Sequence, residues 1–359
     1  MYIFKKALKK IYFFFVKIFF EILYGSIRNK SNNGYNLTKI KISQDSKKEY
    51  EIFEIDNARI YTDSSQNVAV IKKGLIYEKL STQLIDNHLV DLDKNGIIKT
   101  GTKKFIQKKI KGNMLSLIQG ASAIENYGHW LLDTIPKLIM VKKFKDLNSF
   151  DAILLPNLKK KFQKDSLEYF GIKKNKILDG SEITHLYADK ITIPTHPYWE
   201  INKHQFETVA NVDKDILKSI RNMFLNSNNL NKYKKDENIY IDRSDSIFNH
   251  NKLINNLEII EHLKKKGFLI IKLSKLSFNE QIELFNKAKI IIGSHGAGLT
   301  NIIFSEPSTQ IIEIGNPNFD CYVFKNISNI QNLNYSFIKA KSGISEFGDM
   351  RIDIKDLKI

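Results

Sequence analysis

Hydrophobic positions along the chain follow two different periods. From Ile239 onward, compact runs rich in apolar residues (Ile239–Ile241, Phe268–Lys272, Ile290–Ile292, Gln310–Ile314) alternate with segments whose apolar positions recur every three or four residues. The compact runs predict strands buried on both faces, and the intervening segments predict helices over Lys252–Lys266 and Ser277–Lys289. Gly267 closes the first helix, and Ser277-Phe278-Asn279-Glu280 forms a capping box that opens the second. Strand–helix repeats of this spacing predict a Rossmann-like doubly wound sheet, with a ligand site at the carboxyl ends of its strands. The N-terminal half predicts shorter strands at Glu51–Ile55, Asn67–Ile71, Leu75–Tyr77 and Ile97–Lys99. Met114–Ile118, Ala152–Leu155 and Lys190–Pro194 follow as strands, around a basic helix over Leu158–Phe170 that Gly171 stops, which suggests a parallel α/β sheet. Thr195–Trp199 reads as a crossing between domains.

The first residues have a pattern of their own. On a helical wheel Lys5, Lys6, Lys9, Lys10, Lys17 and Glu21 fall on one half, and Phe4, Leu8, Ile11, Tyr12, Phe15, Ile18, Phe19 and Ile22 fill the other. A Lys-rich face opposite a bulky aromatic face predicts a helix lying in a membrane interface, bound to an anionic surface through residues 1–24. Lys17 and Glu21 cut the apolar run short of the roughly 20 residues a span requires. The segment also lacks the small-x-small cleavage site of a signal peptide. The alternative is a helix docked on the protein's own core. The polar stretch from Ser26 to Tyr35 ends this element.

Composition adds limits. At 359 residues the chain is long enough for two domains, and 42% hydrophobic with 11% aromatic residues describes a folded globular protein. One cysteine, Cys321, rules out an intrachain disulfide and a Cys-based zinc cluster, and fits a reducing compartment. Net charge is +17, which points to anionic partners: nucleic acid, membrane or phosphorylated ligands. No RNA-recognition signature or helix-turn-helix pattern accompanies it, so nucleic acid is not an expected partner.

Chemistry concentrates in two stretches. Ile290-Ile291-Ile292 runs directly into Gly293-Ser294-His295-Gly296-Ala297-Gly298-Leu299-Thr300-Asn301. Read as a buried strand, a glycine-rich corner and a helix start, this makes an anion site, with His295 as a further donor. Arg243 follows another strand, so it and His295 could converge on a diphosphate; Glu313, on the last strand, could accept from a ribose. The third position of a dinucleotide fingerprint is Asn301 rather than glycine, and a nucleophile elbow would need glycine at Ile292. Simple dehydrogenase and hydrolase readings fall away.

The second stretch is Glu125-Asn126-Tyr127-Gly128-His129-Trp130-Leu131-Leu132-Asp133-Thr134-Ile135-Pro136. His129 and Asp133 are four apart, so on an α-helix they share a face, and either could take a proton. Asn126, Tyr127 and Trp130 surround them, while Pro136 should bend the helix just beyond. Asp91-Leu92-Asp93 could share a divalent cation. Because Lys94-Asn95-Gly96 follows, it more readily precedes a hairpin turn, and no metal site is assigned.

Together, Asn126–Pro136 and Ile292–Phe304, with Pro307 and Ile312-Glu313, resemble the family 61 glycosyltransferases, a group of capsule and lipopolysaccharide enzymes with eukaryotic relatives that add xylose or N-acetylglucosamine. Tyr240-Ile241-Asp242-Arg243 and Ser277–Gln281 fit the same run, so the resemblance covers about Met114–Glu313. It implies a GT-B-like fold of two Rossmann-like domains facing across a cleft, preceded by the amphipathic helix. The segments would be 1–35, an acceptor-side domain 36–200 and a nucleotide-sugar-binding domain with tail 201–359.

It also implies inverting, metal-independent transfer from a nucleotide sugar to a glycan acceptor, with no cofactor. Arg243, Gly293, His295, Gly296, Ala297, Gly298, Asn301 and Glu313 would hold the donor. His129 or Asp133 would be the base, with Asn126, Tyr127 and Trp130 on the acceptor side. Asp245-Ser246, where the family often carries a second arginine, departs from the pattern. The expected setting is bacterial surface-polysaccharide synthesis on a lipid-linked acceptor, in the cytoplasm at the inner face of the plasma membrane. The competing readings are another polysaccharide-modifying enzyme such as a pyruvyl transferase, and a non-catalytic basic peripheral membrane protein.

Overall fold

A computed structural model describes residues 2–64, 67–85, 88–90, 106–119, 125–200, 203–209, 211–226, 233–246, 251–316, 321–342, 349–357 and 359. The Asp91-Leu92-Asp93 tripeptide and the strand expected at Ile97–Lys99 lie outside these residues. The chain divides into two compact units, neither of them one continuous segment. The first comprises Met1–Glu125, Leu132–Lys159 and Phe170–Thr208; the second comprises Asn126–Leu131, Lys160–Tyr169 and Val209–Ile359.

The second unit is built on five parallel strands in the spatial order Leu269–Ile271, Glu237–Ile241, Ala288–Ser294, Gln310–Gly315, Asn334–Lys339. Numbered along the chain, this order is 2-1-3-4-5, a doubly wound arrangement whose direction of winding reverses between Glu237–Ile241 and Ala288–Ser294. The apolar runs become its central strands: Ile239, Ile291, Ile311 and Ile314 have no exposed surface. The helices Asn256–Lys265 and Phe278–Lys287 connect the strands. The Ser277 hydroxyl accepts from Glu280 N and the Glu280 carboxylate accepts from Ser277 N, so the capping box forms. One core gathers Tyr240, Ile259, Leu263, Ile292 and Ile312, and Met350, Ile352 and Leu357 of the C-terminal tail are buried in it.

The first unit is a mixed sheet rather than a second parallel one. His185–Pro194, Lys108–Ser116, Ala152–Leu155 and Ile177–Asp179 are parallel neighbours. On the other side of His185–Pro194, the 15-residue strand Tyr50–Ser64 pairs antiparallel, and Asn67–Lys72 and Leu75–Tyr77 extend that meander. A tight turn at Lys73-Gly74, both with positive φ, permits the last hairpin and rules out a crossover helix there. The Rossmann-like expectation is therefore met only by the four parallel strands of this unit. Thr195–Trp199 is not a crossing between domains, because it folds back within the first unit, where the Tyr198 hydroxyl donates to Leu132 O at 2.6 Å.

Candidate active site

The reversal in the second unit's sheet lies beside the ends of Ile241 and Ser294, and the residues that follow those strands are Asp242-Arg243 and His295-Gly296. Ligands of open α/β sheets bind at such a reversal, outside the carboxyl ends of the strands. Sheet pairing carries on into both corners: Asp242 N donates to Ile271 O and His295 N to Ile314 O, each at 2.8 Å. Beyond them, residues His295 to Gly298 are half-buried, and Leu299 to Phe304 are sealed in the core. The element after the corner is a 3₁₀ helix, Ala297–Phe304.

The glycines act by close approach and not by turning the chain. None of Gly293, Gly296 and Gly298 has a φ in the left-handed region; Gly296, at φ 162°, is extended. Gly293 lies within the strand, paired with Ile241 and Glu313, and a Cβ there would sit 3.2 Å from the Ile241 side chain. A Cβ on Gly296 would fall 2.6 Å from the Arg243 guanidinium carbon, and one on Gly298 would fall 2.6 Å from Leu273. Gly296 thus gives Arg243 its place. The guanidinium lies over the corner and donates through Nη1 to the His295 carbonyl. Burial lowers the Arg243 pKa, and Asp245 opposes that shift. Asp245 itself accepts from the Ser274 hydroxyl.

His295 donates through Nδ1 to Glu313, whose other oxygen accepts from the Tyr335 hydroxyl at 2.7 Å. Burial works against the imidazolium, but hydrogen bonds with Cys321 and Glu313, together with the Glu313 charge, outweigh it and raise the pKa to about 9. His295 is therefore a cation at neutral pH. Glu313 is 1% exposed with both oxygens engaged, so it orients His295 instead of offering itself to a ribose.

Two motifs far apart in sequence meet in the second unit. Asn126–Leu131 packs on the 3₁₀ helix, where a Cβ on Gly128 would come within 2.9 Å of Thr300 Oγ1 and 3.6 Å of Ala297 Cα. The Tyr127 hydroxyl donates to Asn301 Oδ1, and Asn301 Nδ2 donates to Gln281 and to Gly298 O. Asn301 is fully buried with its amide committed, which corrects its assignment to donor contact. Trp130 is buried too, its Nε1 donating to Ser166 Oγ at 2.8 Å, so it serves the core and not an acceptor. The Asn126 side chain caps the turn by accepting from His129 N at 3.2 Å. His129 keeps an accessible side chain at this edge.

The expected His129–Asp133 face does not form as drawn. Trp130–Thr134 makes a wider π-type turn between the short helix Tyr127–His129 and the helix Ile135–Phe144. Pro136, at the start of that last helix, has no N–H for the preceding turn, which favours the irregularity just before it.

Asp133 has no exposed surface and belongs to the first unit. It accepts from the Tyr198 hydroxyl and lies 3.4 Å from His196 Nε2. His196 Nδ1 accepts from Trp199 N at 3.2 Å, which leaves Nε2 to carry the proton toward Asp133. One turn on, fully buried Lys137 donates to Leu117 O and Gln119 O. Burial lowers its pKa to about 7, against the pull of Asp133. A sealed carboxylate has no path to an acceptor hydroxyl, so Asp133 is a structural anchor and not a base. Sequence reasoning missed Lys137, His196 and Tyr198 as its partners. The Asp133–Lys137 spacing was the one available signal.

Comparison with known proteins completes this picture. The sequence model of the family described as Glycosyltransferase 61 matches residues 127–312, just over half of the chain. The chain is 36% identical over 70 residues to an EGF domain-specific O-linked N-acetylglucosamine transferase of Gallus gallus, covering 20% of this chain and 13% of that protein. It is 36% identical over 75 residues to a beta-1,2-xylosyltransferase of Arabidopsis thaliana, covering 20% and 14%. The matched stretches are thus a small part of those relatives' own length. A flavo di-iron protein from Thermotoga maritima aligns over 88% of this chain and 96% of its own at 12% identity, with a TM-score of 0.24. The family match begins at Tyr127 and ends at Ile312, taking in the Tyr127–His129 turn, Arg243 and the His295 corner, and on this evidence the chain belongs to glycosyltransferase family 61.

Proposed function

We propose that the chain transfers a sugar from a nucleotide-sugar donor to a glycan acceptor, with inversion and without a metal ion. The observation that carries this reading is the meeting of Arg243, charged His295 and Gly296 at the reversal of a parallel sheet. Cationic groups fixed there suit a diphosphate, whose negative charge grows as the sugar leaves. The acceptor oxygen bonds to the anomeric carbon as that carbon's bond to the diphosphate oxygen breaks. The hydroxyl proton passes to a base, for which His129 is the candidate because Asp133 is sealed. One displacement inverts the centre. Arg243 and His295 take the part a metal ion plays elsewhere, and Ala297 and Gly298 add backbone N–H groups. N-acetylglucosamine and xylose, in the names of the relatives, fit the same donor class.

In this reading the enzyme has a GT-B-like architecture with segments 1–35, 36–200 and 201–359, and its donor belongs to the last of these. The acceptor is a lipid-linked glycan of bacterial surface-polysaccharide synthesis at the inner face of the plasma membrane, and the helix Tyr2–Tyr24 provides the attachment such an acceptor requires.

A panel of nucleotide sugars offered with lipid-linked acceptors tests the proposal. One donor should be consumed, and Arg243→Ala should lower its turnover by about 100-fold or more. No consumption of any donor, together with thermal stabilisation by phosphoenolpyruvate and none by nucleoside diphosphates, would instead indicate pyruvyl transfer.

A further inference from the structure

The helix Tyr2–Tyr24 touches the rest of the first unit along one stripe only. Val16 and Phe20 are buried, and Tyr24 is half-buried, against Tyr61, Ala69, Ile71 and Ile76. The Tyr24 ring meets His185 edge-on at 4.5 Å, and the Arg59 guanidinium lies over Tyr24 and Tyr61 at 5.6 and 5.3 Å. Residues 16, 20 and 24 share a face, and seven residues earlier that face carries Lys9. The lysine side of the helix is therefore the side that docks.

The aromatic side faces out. Phe4, Leu8, Ile11, Phe15, Ile18 and Ile22 form a seam at alternating spacings of four and three, and Phe4, Phe15 and Ile22 are 70%, 63% and 74% exposed. Tyr12, Phe14, Phe19 and Leu23 are exposed beside them and broaden the apolar surface to about half of the helix circumference. Contiguous apolar surface of this extent marks an interaction site. The helix holds five lysines and one glutamate, and Lys5, Lys6, Lys9 and Lys10 are all exposed. Two copies joined along the seam would bury a narrower strip and bring like charges together. An anionic surface covers the full width and pairs with the lysines. Among the described residues no helix is long and apolar enough to cross a membrane.

We infer that this outward face docks on an anionic lipid bilayer, with the helix in the plane of the interface. The seam from Phe4 to Ile22 enters the acyl boundary and the lysines reach the headgroups. Val16, Phe20 and Tyr24 meanwhile keep the helix fixed to its sheet, so the anchor is a rigid part of the first unit. The inference specifies the membrane partner of the proposed function and rests on that reading only for its biological setting.

The full chain, without any sugar donor, is sedimented with phosphatidylcholine vesicles with and without phosphatidylglycerol. Binding should be at least about tenfold stronger with the anionic lipid and should weaken as salt is raised. Phe15→Glu with Ile18→Glu should weaken it at least about tenfold, with the thermal midpoint unchanged, because both side chains already meet water. Failure of the wild type to sediment with anionic vesicles would overturn the inference. So would equal binding by the double variant, or a lipid-free dimer that the double variant dissolves. Vesicle binding without sugar transfer would overturn the glycosyltransferase reading alone.

Discussion

Two histidine–carboxylate pairs in this molecule use the same groups for opposite ends. In the second unit, Glu313 holds His295 at the edge of an accessible corner, and the imidazole is charged at neutral pH. In the first unit, Asp133 faces His196, Tyr198 and Lys137 with no exposed surface on the carboxylate. What separates them is the neighbouring backbone. Gly296 clears space for Arg243 over the corner, whereas the π-type turn Trp130–Thr134 folds Asp133 inward. Access, more than residue type, divides a site from an anchor.

Substitutions should separate the two pairs. The largest effect is expected from Arg243→Ala, about 100-fold or more in turnover of the productive nucleotide sugar, with the unfolding midpoint nearly unchanged. Gly296→Val should follow, at about tenfold or more: its side chain would occupy the guanidinium position while the mobile end of Arg243 yields, so activity falls further than stability. A urea titration in which Gly296→Val loses stability in step with activity would contradict the close-approach role. At the other pair the order reverses. Asp133→Ala should cost about 3 kcal/mol in urea unfolding, because it removes the carboxylate that offsets the buried Lys137 charge and accepts from the Tyr198 hydroxyl. A fully active, fully stable Asp133→Ala protein would remove its anchoring role.

The smallest effect is a shift in pH dependence. The folded pKa of His295 is raised to about 9 from the ordinary 6.5. The stability it contributes is therefore fully present below about 6.5 and lost as pH rises through about 9. Diphosphate binding should weaken over the upper part of that range. Glu313→Gln removes one of the interactions that raise the pKa and should move the alkaline limb of the profile to lower pH, with full binding retained below it. An unmoved limb would detach the profile from His295.

The second unit's strands were legible because parallel strands buried on both faces are dominated by branched apolar residues, as in Ile290–Ile292 and Ile311-Ile312. Their spatial order was not, since no local pattern says that Ala288–Ser294 pairs with Glu237–Ile241. That order is what gives Arg243 and His295 a shared address. The corner's glycines were visible, but their purpose depended on Ile241, Arg243 and Leu273, which only tertiary packing supplies. The His129–Asp133 expectation assumed regular α geometry, and one wider turn undid it. Of the long strand Tyr50–Ser64 only Glu51–Ile55 was legible, because Asp56-Asn57 interrupts the apolar alternation before the strand continues.

Calorimetric titration of a nucleoside diphosphate into the wild type and into Arg243→Ala at neutral pH tests the central claim most directly. The account predicts a single site in the wild type and at least about tenfold weaker binding in the variant, with its fold intact. Equal affinity in the two proteins, or no binding by the wild type, would contradict it.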